Sequence, residues 1–115
     1  MSTEQTFDIP QSLIEALRNA RHVAVLTGAG VSAESGLRTF REKFTGIWEQ
    51  YEIEDVATTT ALQQTPGLVW DWLSDMRADM EKVEPNAGHR ALAEMERRVP
   101  EFTLLTQNID GLHQR

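Results

Sequence analysis

The chain has 115 residues, enough for one domain or part of one, with 40% hydrophobic and 25% charged residues, ordinary values for a globular protein. Its formal charge of −7, from 11 Lys plus Arg against 18 Asp plus Glu, excludes a broad nucleic-acid-binding face, which needs clustered cations. It contains no cysteine, which excludes disulfides, a thiolate zinc site and a cysteine nucleophile within these residues.

In chain order, residues 1–10 are polar and lack the basic-then-apolar pattern of a secretory signal, and no apolar run of about 18 residues follows, so a cytoplasmic protein without a membrane partner is expected. Asp8-Ile9-Pro10 reads as the entry to a helix, on which Leu13, Ala16, Leu17 and Ala20 recur at helical spacing. Residues 22–27 include four consecutive apolar positions, Val23 to Leu26, and run into glycines, the pattern of a strand buried on both faces. Residues 37–58 are irregular, with Phe40, Phe44, Ile47, Trp48 and Tyr51 scattered among charges.

Thr65-Pro66 predicts a helix start, a capping hydroxyl followed by proline at the first helical position. Val69, Trp72, Leu73, Met76, Met80 and Val83 then form one apolar stripe, read as the core of a helical lobe, and Glu84-Pro85 ends it. Asn86 caps a further helix whose buried side carries Leu92 and Met95, with Val99 beyond, and residues 102–106 predict a second buried strand. Strand, glycine turn, helices and strand in that order are α/β grammar. About seventy-five residues separate the strands where a crossover needs about a dozen, so the extra helices are expected beside the sheet.

The chemistry concentrates first at Gly28-Ala29-Gly30-Val31-Ser32-Ala33, a GxGxx(G/A) match directly after a strand. The first glycine permits a tight turn, the second lets backbone approach a pyrophosphate, and the small third residue lets helix pack on strand. Amides at the helix start and the Ser32 hydroxyl would then hold phosphate oxygens. The competing reading is a strand-to-helix turn with no ligand. An acidic residue ending a second strand about twenty residues later would hold a ribose. Glu49, Glu52, Glu54 and Asp55 fall near that distance without a strand before them, so a ribose would be held otherwise.

The longer run, residues 28–41, resembles the sirtuin signature GAG(I/V)SxxSGIxxFR. Gly46-Ile47-Trp48 resembles the GLW/GIW that follows it, residues 85–89 resemble PNxxH, and residues 106–113 resemble TQNIDxLH. The resemblance implies a Rossmann-like parallel-sheet domain, partial here, with an inserted helical lobe of a smaller second domain. Residues 1–39 and 84–115 would belong to the large domain and residues 40–83 to the lobe, the zinc module and remaining strands lying outside this chain.

The activity implied is NAD-dependent removal of acyl groups, acetyl foremost, from protein lysines, giving nicotinamide and O-acyl-ADP-ribose. NAD is a consumed co-substrate, and acyl-lysine proteins or peptides are the partners. The matched positions imply a cofactor site of Gly28, Ala29, Gly30, Val31, Ser32, Glu34, Ser35, Gly36, Thr39, Phe40, Arg41, Trp48, Gln107, Asn108, Ile109 and Asp110. Gly28, Ala29, Gly30 and Ser32 would line the diphosphate with Arg41 near it, and Phe40 would cover the nicotinamide ribose. Gln107 and Asn108 would hold ribose hydroxyls or a water. Asp110 would grip the nicotinamide carboxamide, and Asn108 and Asp110 are the catalytic candidates.

Singly, Phe40 reads as core, Arg41 as a solvated charge and Gln107-Asn108 as loop polar residues; the ordered motifs reverse those readings. His89, in the first turn of a helix, reads as structural, and His22, His89 and His113 are too widely spaced for a metal site.

Thr39 stands where the family usually has Asp, a substitution seen in some members. The family's general-base histidine and zinc-binding cysteines follow the TQNIDxLH motif and lie outside this chain, so residues 1–115 alone are expected to be inactive. Members that remove acidic acyl groups carry Tyr and Arg three apart in the helix before PNxxH, where Leu73 and Met76 stand here. The alternatives are a short module that binds NAD or ADP-ribose without catalysis and a generic Rossmann oxidoreductase. The missing ribose carboxylate and the Asn-Ile-Asp motif disfavour the oxidoreductase.

Overall fold

A computed structural model describes residues 6–37 and 53–115. Helix α1 (Gln11–Asn19) leads into strand β1 (His22–Thr27) and the short helix α2 (Ala29–Ala33). Helices α3 (Ile53–Val56), α4 (Thr59–Gln64) and α5 (Pro66–Glu81) follow, then α6 (Ala87–Arg98) and strand β2 (Glu101–Thr106). The strands pair in parallel, with Val23 opposite Phe102, Val25 opposite Leu104 and Thr27 opposite Thr106. Because a parallel pair points both carboxyl ends the same way, the segments leaving β1 and β2 emerge side by side, where open α/β sheets place their ligands.

Helix α1 begins after Pro10, which takes the cap position. Helix α5 starts at Pro66, whose missing N–H costs nothing in a first turn. Thr65 does not cap it as the sequence suggests; its hydroxyl donates back to the Ala61 carbonyl at 3.1 Å and closes α4 instead. Thr65 is at once the residue after α4 and the residue before α5, and its side chain serves the end of α4. Thr58 caps α4 by accepting from the Ala61 N–H at 3.0 Å.

The stripe on α5 is only partly core. Val69 and Trp72 are buried, and with Val56 and Ala61 they form the apolar centre of α3, α4 and α5. Burial of such side chains contributes roughly 1.5–3 kcal/mol each. Met76, Met80 and Val83 are half-buried and Leu73 is 37% exposed, so the stripe turns outward along its length.

Strand β1 also departs from expectation. Its residues alternate, with Val23 and Val25 half-buried, Ala24 exposed and Leu26 80% exposed beside its register partner Leu105 at 54%. Among the described residues the sheet has two strands, and nothing in them covers the Leu26–Leu105 face. The apolar run therefore marks a strand suited to two covered faces, of which this structure supplies one.

Candidate functional site

The two segments leaving the sheet are tied together by side chains. Asn108 donates from Nδ2 to the Gly28 carbonyl at 2.8 Å, and the same nitrogen lies 3.5 Å from Ser32 Oγ. The Ser32 hydroxyl, on a residue 2% exposed, donates to Asp110 Oδ2 at 2.6 Å. The other carboxyl oxygen, Oδ1, accepts from the Leu112 N–H at 2.9 Å, so Asp110 is held at both ends. Residues 78 and 80 apart in sequence thus meet at one point above the parallel strands.

Local backbone explains the aim of these groups. Parallel pairing carries one step past β2, where the Gln107 N–H donates to the Thr27 carbonyl at 3.1 Å. Asn108 follows, its N–H donating to Thr106 Oγ1 at 3.0 Å. Gly111 has φ +71, a left-handed conformation that disfavours any side chain, and it turns the chain so that Leu112 reaches 1% exposure. Buried Leu112 anchors the loop that carries Asn108 and Asp110.

Asn86 joins α6 to the same site. Its Oδ1 accepts from the Gly88 and His89 N–H groups as the cap of α6. Its Nδ2 donates to the Val31 carbonyl at 2.8 Å and to Ser35 Oγ at 3.0 Å, which pins α6 to the glycine turn. The sequence shows the cap; the second pair, more than fifty residues away, carries no local signal.

His89 is 4% exposed and completes the capping box by accepting the Asn86 N–H at Nδ1, 3.1 Å away. That bond puts the imidazole proton on Nε2, which has no hydrogen-bond partner among the described residues. The ring meets His113 edge-on, centroids 4.9 Å apart, and His113 Nε2 lies 2.9 Å from Thr27 Oγ1. His113 sits in a turn. Burial foremost, then His113 and Arg90, holds His89 below the ordinary imidazole value of 6.5, with Asp110 opposing.

An unfolded chain therefore takes up the proton first as pH falls. The stability due to neutral His89 is complete above pH 6.5 and is lost as pH drops through the folded-state value. The melting temperature of the full-length protein is expected to fall over that acid range, and His89→Gln to flatten the fall. An unchanged pH dependence in the variant would refute the assignment.

Of the sixteen sequence-derived site positions, Gly28, Ser32, Asn108 and Asp110 come together directly. Ala29, Gly30 and Val31 form the first turn of α2 beside them. Ser35 is engaged by Asn86, Glu34 is exposed at the end of α2, and Gly36 adopts φ +99. Gln107 is exposed, its bond to the sheet being through backbone, and Ile109 is 72% exposed. Thr39, Phe40, Arg41 and Trp48 lie outside the described residues. Among the described residues no group of three or more His, Asp or Glu could hold a metal, and no helix is long and apolar enough to cross a membrane.

Comparison with known families places this geometry. The model of the Sir2 family matches residues 28–115, from the glycine turn to the last residue. The chain belongs to the Sir2 family. An NAD-dependent protein deacylase of Deinococcus radiodurans is 54% identical over 101 residues, covering 87% of this chain and 41% of the relative. One of the same description from Methylococcus capsulatus is 45% identical over 108 residues, covering 94% and 42%. The chain thus spans about two fifths of the length of these curated relatives.

Among solved structures, a Sir2 homologue in complex with NAD is 40% identical with a TM-score of 0.81, covering 94% of this chain and 42% of that one. A Sir2 mutant with a p53 peptide and NAD is 28% identical with a TM-score of 0.73, covering 91% and 40%. The sequence-derived α/β, Rossmann-like fold of a Sir2 member agrees with these neighbours.

Proposed function

We propose that the full-length protein removes acyl groups, acetyl foremost, from protein lysines while consuming NAD. The observation that carries this reading is the convergence of Gly28, Ser32, Asn108 and Asp110 at the carboxyl ends of two parallel strands. It is supported by relatives described as NAD-dependent protein deacylases and by a similar solved structure that holds NAD.

The turn fits a diphosphate: a methyl group built at Gly28 or Gly30 would meet nothing within 4 Å, so no described side chain covers the turn there. In this reading Gly28, Ala29, Gly30, Val31 and Ser32 receive the diphosphate, with Arg41 supplying fixed positive charge. Phe40 would shield the ribose beside nicotinamide, and Thr39, Trp48, Glu34, Ser35 and Gly36 are read as further members of the cofactor-binding set. Gln107 and Asn108 orient ribose hydroxyls or a water, and Asp110, with Ile109 beside it, holds the carboxamide. When bound, NAD would supply an electrophilic ribose carbon, with nicotinamide as its leaving group, to accept the acyl group.

The division into residues 1–39, 40–83 and 84–115 belongs to the same proposal, as does a cytoplasmic setting. With no cysteine among the 115 residues, zinc would be held by thiolates elsewhere in the protein. Residues 1–115 alone are read as catalytically incomplete; among the described residues nothing covers the Leu26–Leu105 sheet face.

The test is stoichiometry with the full-length protein and an acetyl-lysine peptide. Nicotinamide released should equal peptide deacetylated, and none should appear without the peptide. Reduction of NAD with an alcohol or hydroxy acid, followed by near-ultraviolet absorbance and without nicotinamide release, would overturn the reading. Saturable NAD binding with no turnover would favour the binding module instead.

A further inference from the structure

The last residue of the Sir2 match makes contacts that its motif does not announce. Arg115 donates from Nη1 to the Val83 carbonyl at 3.1 Å and from Nη2 to the Met80 carbonyl at 3.0 Å. The same Nη2 lies 3.4 Å from the carbonyl of Asp110. Met80 belongs to the last turn of α5, where helix carbonyls lack intrahelical partners and the macrodipole is negative, so a guanidinium suits the position in both hydrogen bonding and charge. The planar fork of arginine can span three carbonyls at once; an ammonium cannot match that geometry.

The place of these contacts matters more than their number. Residues 82–86 are the only direct chain connection between α5 and α6. Asn86 fixes one end of this connection to α2 through Val31 and Ser35, and Arg115 fixes the other end through Val83 and Met80. Between them, a side chain at Gly36 would begin 3.7 Å from Val83 Cγ1, so the glycine segment packs on the same stretch. Gly111, whose carbonyl accepts the Arg115 N–H at 3.3 Å, folds the chain back to bring the guanidinium there.

Arg115 also lines a groove of about 380 Å³ together with Arg77, Met80, Glu81, Ile109 and Asp110. One wall is the end of α5 and the other is the loop that carries Asp110, so the Arg115 bonds fix the spacing of the two walls.

We propose that Arg115 is a positioning residue that clasps the helical insertion to the Asn108–Asp110 loop and so sets the alignment of the NAD site. The inference rests on the reading of that loop as the nicotinamide end of the site. Arg115 itself touches no reacting group. Its loss loosens the approach of lobe and loop while Asn108 and Asp110 keep their own anchors on Gly28, Ser32 and Leu112.

The experiment uses the full-length protein with an acetyl-lysine peptide, comparing wild type, Arg115→Ala and Arg115→Lys by steady-state kinetics and thermal melting. Arg115→Ala is expected to raise KM for NAD about five- to tenfold with kcat within about twofold of wild type, because alignment of the bound state is lost and the chemical groups remain. Arg115→Lys is expected to recover part of the KM, since one ammonium can still reach one or two of the carbonyls. A KM for NAD within twofold of wild type in Arg115→Ala, with or without a lower melting temperature, would overturn the proposal and leave Arg115 a purely structural residue. If Arg115→Ala does not fold, Arg115→Lys decides: a KM raised about twofold or more at unchanged kcat supports the clasp, and an unchanged KM refutes it. Failure of the wild type to release nicotinamide would instead refute the deacylase reading itself.

Discussion

Replacing Asn108 by alanine in the full-length protein is expected to lower turnover about a hundredfold, the usual effect of losing one preorganised polar group at a reacting centre. The structure gives a reason beyond sequence likeness. One amide hydrogen of Asn108 is committed to the Gly28 carbonyl at 2.8 Å, which fixes the plane of the side chain and hence the direction of its carbonyl oxygen. An amide so fixed can orient a ribose hydroxyl or a water without reorganising during reaction. The fold should survive, because the loop keeps the Gln107 N–H to Thr27 bond, buried Leu112 and both anchors of Asp110. Asp110→Asn should act differently: it should weaken inhibition by nicotinamide and nicotinamide exchange, because it would alter the carboxyl proposed above to hold the carboxamide. The measurements are kcat by nicotinamide release, an exchange assay and melting temperature. Near-normal kinetics and melting in both variants would mean that the nicotinamide pocket lies elsewhere.

These residues were legible in the sequence because their signals are local. A buried run ending in Gly28-Ala29-Gly30 announces a strand and a tight turn, and Thr106-Gln107-Asn108-Ile109-Asp110 announces another strand leaving into a polar loop. Pairing the two strands in parallel is then enough to bring Gly28 and Asn108 together. Asn86 as a cap was legible for the same reason, since the capped amides lie two and three residues away.

What the sequence hid was long-range. The second role of Asn86, the contact of His113 with Thr27 across 86 residues, and the Arg115 clasp all join positions whose separation leaves no periodic trace. Thr65 misled because two helices abut there, and its hydroxyl donates to the Ala61 carbonyl at the end of α4 instead of capping α5. The β1 run misled in another way: Val23 to Leu26 encodes burial on two faces, and the described residues cover one. The half-turned stripe of α5 shows the same effect, with Val69 and Trp72 inside and Leu73 at the edge.

That edge of α5 bears on the acyl preference to expect of the proposed deacylase. The full-length protein is expected to prefer acetyl- over succinyl-lysine peptide by about tenfold or more in catalytic efficiency. Matching Val69-Trp70 and Glu84-Pro85-Asn86 to sirtuins that remove acidic acyl groups puts Leu73 and Met76 where those members carry the Tyr and Arg that pair with the acyl carboxylate. Leu73 is 37% exposed and Met76 half-buried, and neither side chain can pair with a carboxylate, so an acidic acyl group lodged there would bury an unpaired charge. Arg77 is the nearest cation in sequence, but one helical step turns it about 100° from Met76. It also lies 3.5 Å from Glu81, and both line the groove that contains Asp110. A succinyl carboxylate entering that groove would meet the Glu81 and Asp110 side chains as well as Arg77, and the pair already formed on the helix offsets the attraction Arg77 could offer. Matched acetyl and succinyl peptides, compared by kcat/KM on one enzyme preparation, test this directly. A tenfold preference for succinyl would show that Arg77, and not Met76, faces the acyl chain, and would shift the register of α5 against its relatives by one residue.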